Sequence, residues 1–203
     1  MLFDKFPLLQ KFIDLSRKIP YVPSKHTYPL VEFLLHTDEE KIYEFVGELV
    51  ALKKKIMLCE TCHCWRETEA ECPWCSQERN QDILCIVETW IDAVSLEKAN
   101  MFDGIYHILG GSLSPLEGIT YEKLSIGSLI KRINTLDLKE IIIATNQTPE
   151  GEATSYHIER VIKKTGKDIT ISSLPTGIPV GTSLAYVDRV TLAKALHFRR
   201  KLK

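Results

Sequence analysis

Two pairs of cysteines carry the strongest chemical signal in this sequence: Cys59-x2-Cys62, then Cys72-x2-Cys75 after nine intervening residues. Knuckles of this spacing place four thiolates around one tetrahedral zinc with bonds of about 2.3 Å. All four positions are protein ligands, so the site is closed and structural. A small module of this kind draws about 10–16 kcal/mol of folding free energy from its metal. The expectation is one structural zinc per subunit on Cys59, Cys62, Cys72 and Cys75. Cys62-x-Cys64 is too tight for a usual knuckle, and Cys85 lies in an apolar run where a buried thiol is ordinary core.

A second constellation is acidic. Glu88 closes an apolar run, Asp92 follows four residues later, and Glu150 and Glu152 follow the run EIIIAT. In an open α/β sheet the carboxyl ends of neighbouring strands meet at one crevice, where these four carboxylates could gather. Clustered carboxylates suit a divalent cation, which keeps several waters, or a basic partner. Asp92 and Glu152 are equally what a helix N-terminus favours. The loop LGGSLSPLEGI (109–119) is ordinary turn chemistry and matches neither a phosphate-binding nor a dinucleotide fingerprint.

The elements that must position these groups fall into blocks. Apolar spacing of three and four over residues 5–55 predicts three helices, the last opened by a capping box from Thr37 to Glu40 and ended by Lys53, Lys54 and Lys55. Between the first two lies IPYVPSKHTYP, whose three prolines predict a turn or a broken helix start. Residues 56–79 form a cysteine module whose order comes from something other than a core. Beyond it, strands are expected at 83–88, 104–109, 140–145 and 168–172, with helices near 90–100, 121–135 and 152–165. Ile- and Val-rich runs alternating with amphipathic helices predict an α/β domain with a mostly parallel sheet covered on both faces. A basic helix, DRVTLAKALHFRRKLK, ends the chain.

With 203 residues, 44% of them hydrophobic and 26% charged, the chain suits one large or two small packed domains and excludes intrinsic disorder. No apolar run approaches the roughly 18 residues of a membrane span, and the charged N-terminus is unlike a signal peptide. The expectation is a soluble cytoplasmic protein in which cysteine spacing means metal rather than disulfides. The net charge of −1 hides an uneven distribution: residues 80–180 carry 9 basic and 13 acidic groups, residues 181–203 carry 6 and 1. An acidic body and a basic end suggest two partner surfaces of opposite preference.

Strings along nearly the whole chain resemble the bacterial RecR family of recombination mediators: CETC and CPWC, VETWIDAVSLE, YHILGGSLSPLEGI, IIIATNQTPEGEAT and PVGTSLAYVDRVTLAKAL, in that order. The resemblance implies a multi-domain α/β protein. Its parts would be a helix-hairpin-helix region (1–55), a four-cysteine zinc module (56–79), a Toprim domain (80–175) and a C-terminal segment with a basic helix (176–203). Toprim enzymes are similar in placing a glutamate after the first strand and an Asp-x-Asp pair after a later one to hold Mg²⁺. Here Glu88 stands at the first position and Thr145-Asn146-Gln147 at the second. Lacking two ligands, the site suits phosphodiester chemistry poorly, so a non-enzymatic module is expected. The rival is a Mg-dependent nuclease or topoisomerase-like enzyme.

What the resemblance implies about partners is specific. The acidic surface of Glu88, Asp92, Glu150 and Glu152 would contact RecO, with RecF a further candidate. The assembly, a ring-like tetramer on DNA associated with the nucleoid, would help to load RecA onto strands coated by single-strand-binding protein. Family members read like L-P-G-V-G-P-K-S-A-x-R in the hairpin, whereas this chain reads Ile19-Pro20-Tyr21-Val22-Pro23-Ser24-Lys25, with Pro29 at the arginine position. DNA contact is therefore expected from Lys18 and Lys25 together with Arg199, Arg200, Lys201 and Lys203.

Overall fold

The computed structural model describes residues 5–175 and 177–199 and divides into two compact units, Met1–Lys55 and Ile56–Lys203. The first holds three helices, α1 (Pro7–Ser16), α2 (Ser24–His36) and α3 (Glu39–Lys55). α1 opens on a proline, where a missing N–H costs nothing. It packs on α2, and Ile13, Ser16, Thr27 and Val31 are buried. In the turn between them Tyr21 stands at the first of the lost glycines and has a φ of 65°. That left-handed conformation costs a non-glycine residue about 1–2 kcal/mol. The chain keeps the turn without the glycine.

The proline-rich stretch holds a turn and then a helix start, α2 beginning at Ser24 and continuing unbroken through Pro29. One expectation changes in this unit. Thr37 does not open α3. It closes α2, donating its hydroxyl to the Phe33 carbonyl at 2.7 Å, while the Asp38 carbonyl accepts from Lys41 and Ile42. The three lysines do fill the last turn of α3. That helix buries none of its residues and leaves Tyr43, Phe45, Leu49 and Leu52 exposed.

The second unit is built on a four-stranded parallel sheet of β3 (Asn80–Val87), β4 (Gly104–Ile108), β5 (Glu140–Ala144) and β6 (Thr170–Ser173), in the order β4-β3-β5-β6. β1 (Ile56–Leu58) and β2 (Trp65–Glu67) form a separate antiparallel pair. Leu84 faces Ile105 on one neighbour and Ile141 on the other. Because side chains alternate along a strand, each strand feeds both faces. On one face Leu84, Ile86, Ile105, Ile141 and Ile143 pack against α5 (Ile126–Thr135) and α6 (Pro149–Lys164) through Leu129, Ile133, Ile158 and Ile162. On the other, Cys85, Val87, Tyr106, Ile108 and Ala144 meet Ala93 of α4 (Trp90–Lys98) and four cysteines, Cys59, Cys62, Cys64 and Cys72.

The cysteine module therefore shares the core of the sheet instead of standing apart from any core. It also completes an edge: Ile108 N–H donates to the Cys62 carbonyl at 2.8 Å, and Tyr106 N–H to the Trp74 carbonyl at 3.1 Å. After β6, α7 (Arg189–His197) is capped by Asp188, whose carboxylate accepts from the Val190 and Thr191 amides.

Candidate functional site

Two places in the second unit gather chemistry. In the first, the Sγ atoms of Cys59, Cys62, Cys72 and Cys75 all lie within 4.8 Å of one another. Cys62 and Cys72 are 3.4 Å apart, and Cys59 and Cys75 are 3.8 Å apart. A tetrahedral thiolate site with bonds of about 2.3 Å has edges of about 3.8 Å. The quartet therefore fits a metal ion. Among the described residues no other group of three or more His, Cys, Asp or Glu side chains is placed to hold one.

The electrostatics of the quartet point the same way. Burial pushes the Cys59 thiol up, but the Cys62 and Thr61 backbone amides outweigh it and bring it down to about 7. Burial raises Cys72 to about 11. Cys62 and Cys75 are raised further, Cys62 first by its bond to Cys64 and Cys75 first by its bond to Cys62. Thiols this close cannot all ionise together unless a cation supplies the opposing charge. Arg132 is buried nearby on α5 and donates to the Tyr106 carbonyl. Burial pulls its guanidinium below the usual range, and Cys75, Cys62, Cys59 and Cys64 pull it back up. Sequence reasoning passed over it, although a charge one residue before Ile133 on the apolar side of a helix is a visible anomaly.

The second place is the crevice at the carboxyl ends of β3 and β5. Glu88 is only 5% exposed there. One carboxylate oxygen accepts from the Asn146 backbone N–H at 2.7 Å and the other from Asn146 Nδ2 at 2.8 Å. Asn146 thus puts hydrogen-bond donors on both oxygens of Glu88. Gly151 makes the approach possible: a Cβ at that position would lie 2.0 Å from the Asn146 carbonyl oxygen and 2.7 Å from Glu88 Oε1. The sequence marked Asn146 only as standing where an acidic pair is missing, and Gly151 not at all, since what joins them to Glu88 is tertiary.

The other three acids have separate surroundings. Asp92 closes a capping box on α4, accepting from the Thr89 amide at 2.8 Å and its hydroxyl at 2.7 Å. It borders a shallow cavity shared with Thr145, Asn146 and Gln147. Glu152 borders a second cavity that also reaches Asn146 and Gln147, and is ion-paired with Lys194 of α7. Glu150 is exposed on the first turn of α6. Asp92 and Glu152 thus flank Asn146 and Gln147, with Glu88 buried among them, and the four carboxylates do not converge on one ion. The glycine loop uses its amides internally: Gly110 donates to the Glu88 carbonyl, Leu113 to Thr154 Oγ1, and Ser114 and Ile119 to each other's carbonyls.

Of the basic residues, Lys18 lies in the turn after α1 and Lys25 in the first turn of α2, both exposed. Arg199 is exposed past α7 and donates to the Leu196 carbonyl at 3.0 Å. Arg200, Lys201 and Lys203 lie outside the described residues.

A parallel sheet whose first strand ends in a glutamate at the crevice defines a Toprim-type domain, and residues 82–174 match the Toprim domain family model. Residues 177–200, which include α7, match the model of the RecR C-terminal region. With both in this order behind a four-cysteine module that fits a metal ion, the chain carries the domain matches of the RecR family. The family is one of recombination mediators. No described helix is long and apolar enough to cross a membrane.

Proposed function

We propose that this protein is a non-enzymatic recombination mediator in DNA repair, binding RecO through its acidic crevice and promoting RecA loading onto single-stranded DNA. The observation that carries the reading is the pairing of Glu88 with Asn146. Where a metal-dependent Toprim enzyme would offer carboxylates to Mg²⁺, this chain offers an amide that occupies the glutamate's own oxygens. Asp92, Glu150 and Glu152, ranged around the crevice, then serve a basic partner, while Glu88 holds the crevice floor. The ion in the cysteine quartet is a structural zinc, one per subunit, as soft thiolates in a closed tetrahedral set select. Exposed apolar side chains along α3 support self-association, and a ring-like tetramer is the assembly we favour. Lys18, Lys25 and the basic tail from Arg199 to Lys203 supply the charge for DNA.

The test is charge reversal. Glu150→Lys combined with Glu152→Lys should weaken RecO binding at least ten-fold and flatten its salt dependence. Stability should change by no more than roughly 0.5 kcal/mol, because exposed charges contribute little to a fold. Unchanged affinity removes the crevice as the RecO surface. Plasmid cleavage with Mg²⁺ that Glu88→Gln abolishes would replace the mediator reading with the enzyme one.

A further inference from the structure

A cavity of about 530 Å³ lies beside the metal module, lined among others by Leu58, His63, Trp65, Trp90, Leu109 and Lys123. Its walls come from three parts of the second unit: Trp65 from β2, Trp90 from the first turn of α4, and Lys123 from the short turn before α5. Its size lies within the roughly 300–1,000 Å³ of small-ligand pockets.

Three features of the lining are unexplained by the fold. Trp65 and Trp90 are 45% and 41% exposed. Neither is in a ring–ring or cation–π contact with a described residue, whereas the third tryptophan, Trp74, packs edge-on against Tyr106 at 5.7 Å. Two large aromatic faces are thus left open to one hollow. Lys123 is exposed and forms no salt bridge with a described residue, and Glu122 beside it accepts from Thr120 Oγ1 at 3.3 Å. No Asp or Glu lines the cavity, although residues 80–180 carry four more acidic than basic groups. Within the acidic body of the protein, the lining of this hollow carries no acidic side chain.

We infer that the cavity holds a base of single-stranded nucleic acid, stacked on Trp65 or Trp90, with Lys123 on the adjoining phosphate. Open indole faces bind bases of any sequence, and a lysine at the rim tracks the backbone. A peptide side chain would need only the aliphatic part of the lining and would leave the unpaired cation unused. The inference rests on the reading of the chain as a protein that works on DNA, and adds to it a contact outside the hairpin and the tail.

The experiment titrates the full-length protein with fluorescein-labelled oligothymidylate and, separately, with a duplex of the same length, at low and moderate salt. Trp90→Leu should weaken oligothymidylate binding roughly five-fold or more, the low end of what one stacked base contributes, and Trp90→Phe should recover most of it. Lys123→Gln, an exposed change that spares the fold, should lower the slope of log affinity against log salt by about 0.7. Duplex affinity should stay unchanged in all three. If the wild type binds oligothymidylate and both Trp90→Leu and Lys123→Gln bind it equally well, the cavity is not the site and the inference fails, while the reading as a DNA-associated protein stands. If the wild type binds neither single strands nor duplex, both fail together.

Discussion

Gly151 is where one missing atom decides whether the crevice floor exists. Because its Cβ would meet a backbone oxygen at 2.0 Å, and a backbone oxygen cannot rotate away, Gly151→Ala should cost about 1–3 kcal/mol. A urea midpoint unchanged from wild type would show that α6 is free to shift. His107 is a second residue with a measurable signature. It is wholly buried on β4, and its Nε2 lies 2.9 Å from Ser125 Oγ. The Ser125 hydroxyl donates its own proton to the Ile108 carbonyl at 2.5 Å, so the imidazole carries its hydrogen on Nε2. Burial holds its pKa down near 3, against 6.5 for a free side chain. The unfolded chain then binds the extra proton at higher pH than the folded one, so this stability is complete above about pH 6.5. It drains away as pH falls toward 3, at up to about 1.4 kcal/mol per pH unit. His107→Gln should flatten that part of the stability profile. Comparing the two profiles separates the imidazole from protonation of the metal-binding thiols.

At the scale of elements, the sequence was informative where chemistry is local and silent where it is not. The four cysteines lie within seventeen residues of one another and their spacing alone predicts the quartet, whereas Glu88 and Asn146 are joined across 58 positions. β3 begins at Asn80, earlier than its apolar run, because Asn80 pairs with Gly104 and the Asp82 carbonyl accepts from the Lys139 amide at 2.8 Å without either residue entering the core. α6 begins at Pro149 and not at Glu152: the Thr148 hydroxyl accepts from the Gly151 amide at 3.1 Å, and the proline fits the first helical position. Periodicity sees neither. The module's grip on β4 leads to a local prediction. Stripping the metal with a chelator should speed hydrogen exchange at the Tyr106 and Ile108 amides, whose acceptors are the Trp74 and Cys62 carbonyls, and leave α6 protected. Equal acceleration in both would mean that the metal holds up the whole unit.

For the whole molecule, the proposed DNA contact has to be reconciled with a net charge of −1. Each lysine or arginine that neutralises a duplex phosphate adds about 0.9 to the slope of log affinity against log salt. Deleting residues 199–203 should therefore lower that slope more than Lys25→Ala does. The reverse result would return the main contact to the hairpin, whose turn survives at Tyr21 in the left-handed conformation glycine would have taken. β4 is an outer strand of the sheet, and an outer strand with unpaired amides is a template on which another chain can add. By occupying those amides the module guards against chain-to-chain pairing. In a cell short of its metal, newly made protein would be lost to insoluble aggregates before any defect in repair could be measured, and the soluble fraction at a given expression level should follow metal supply.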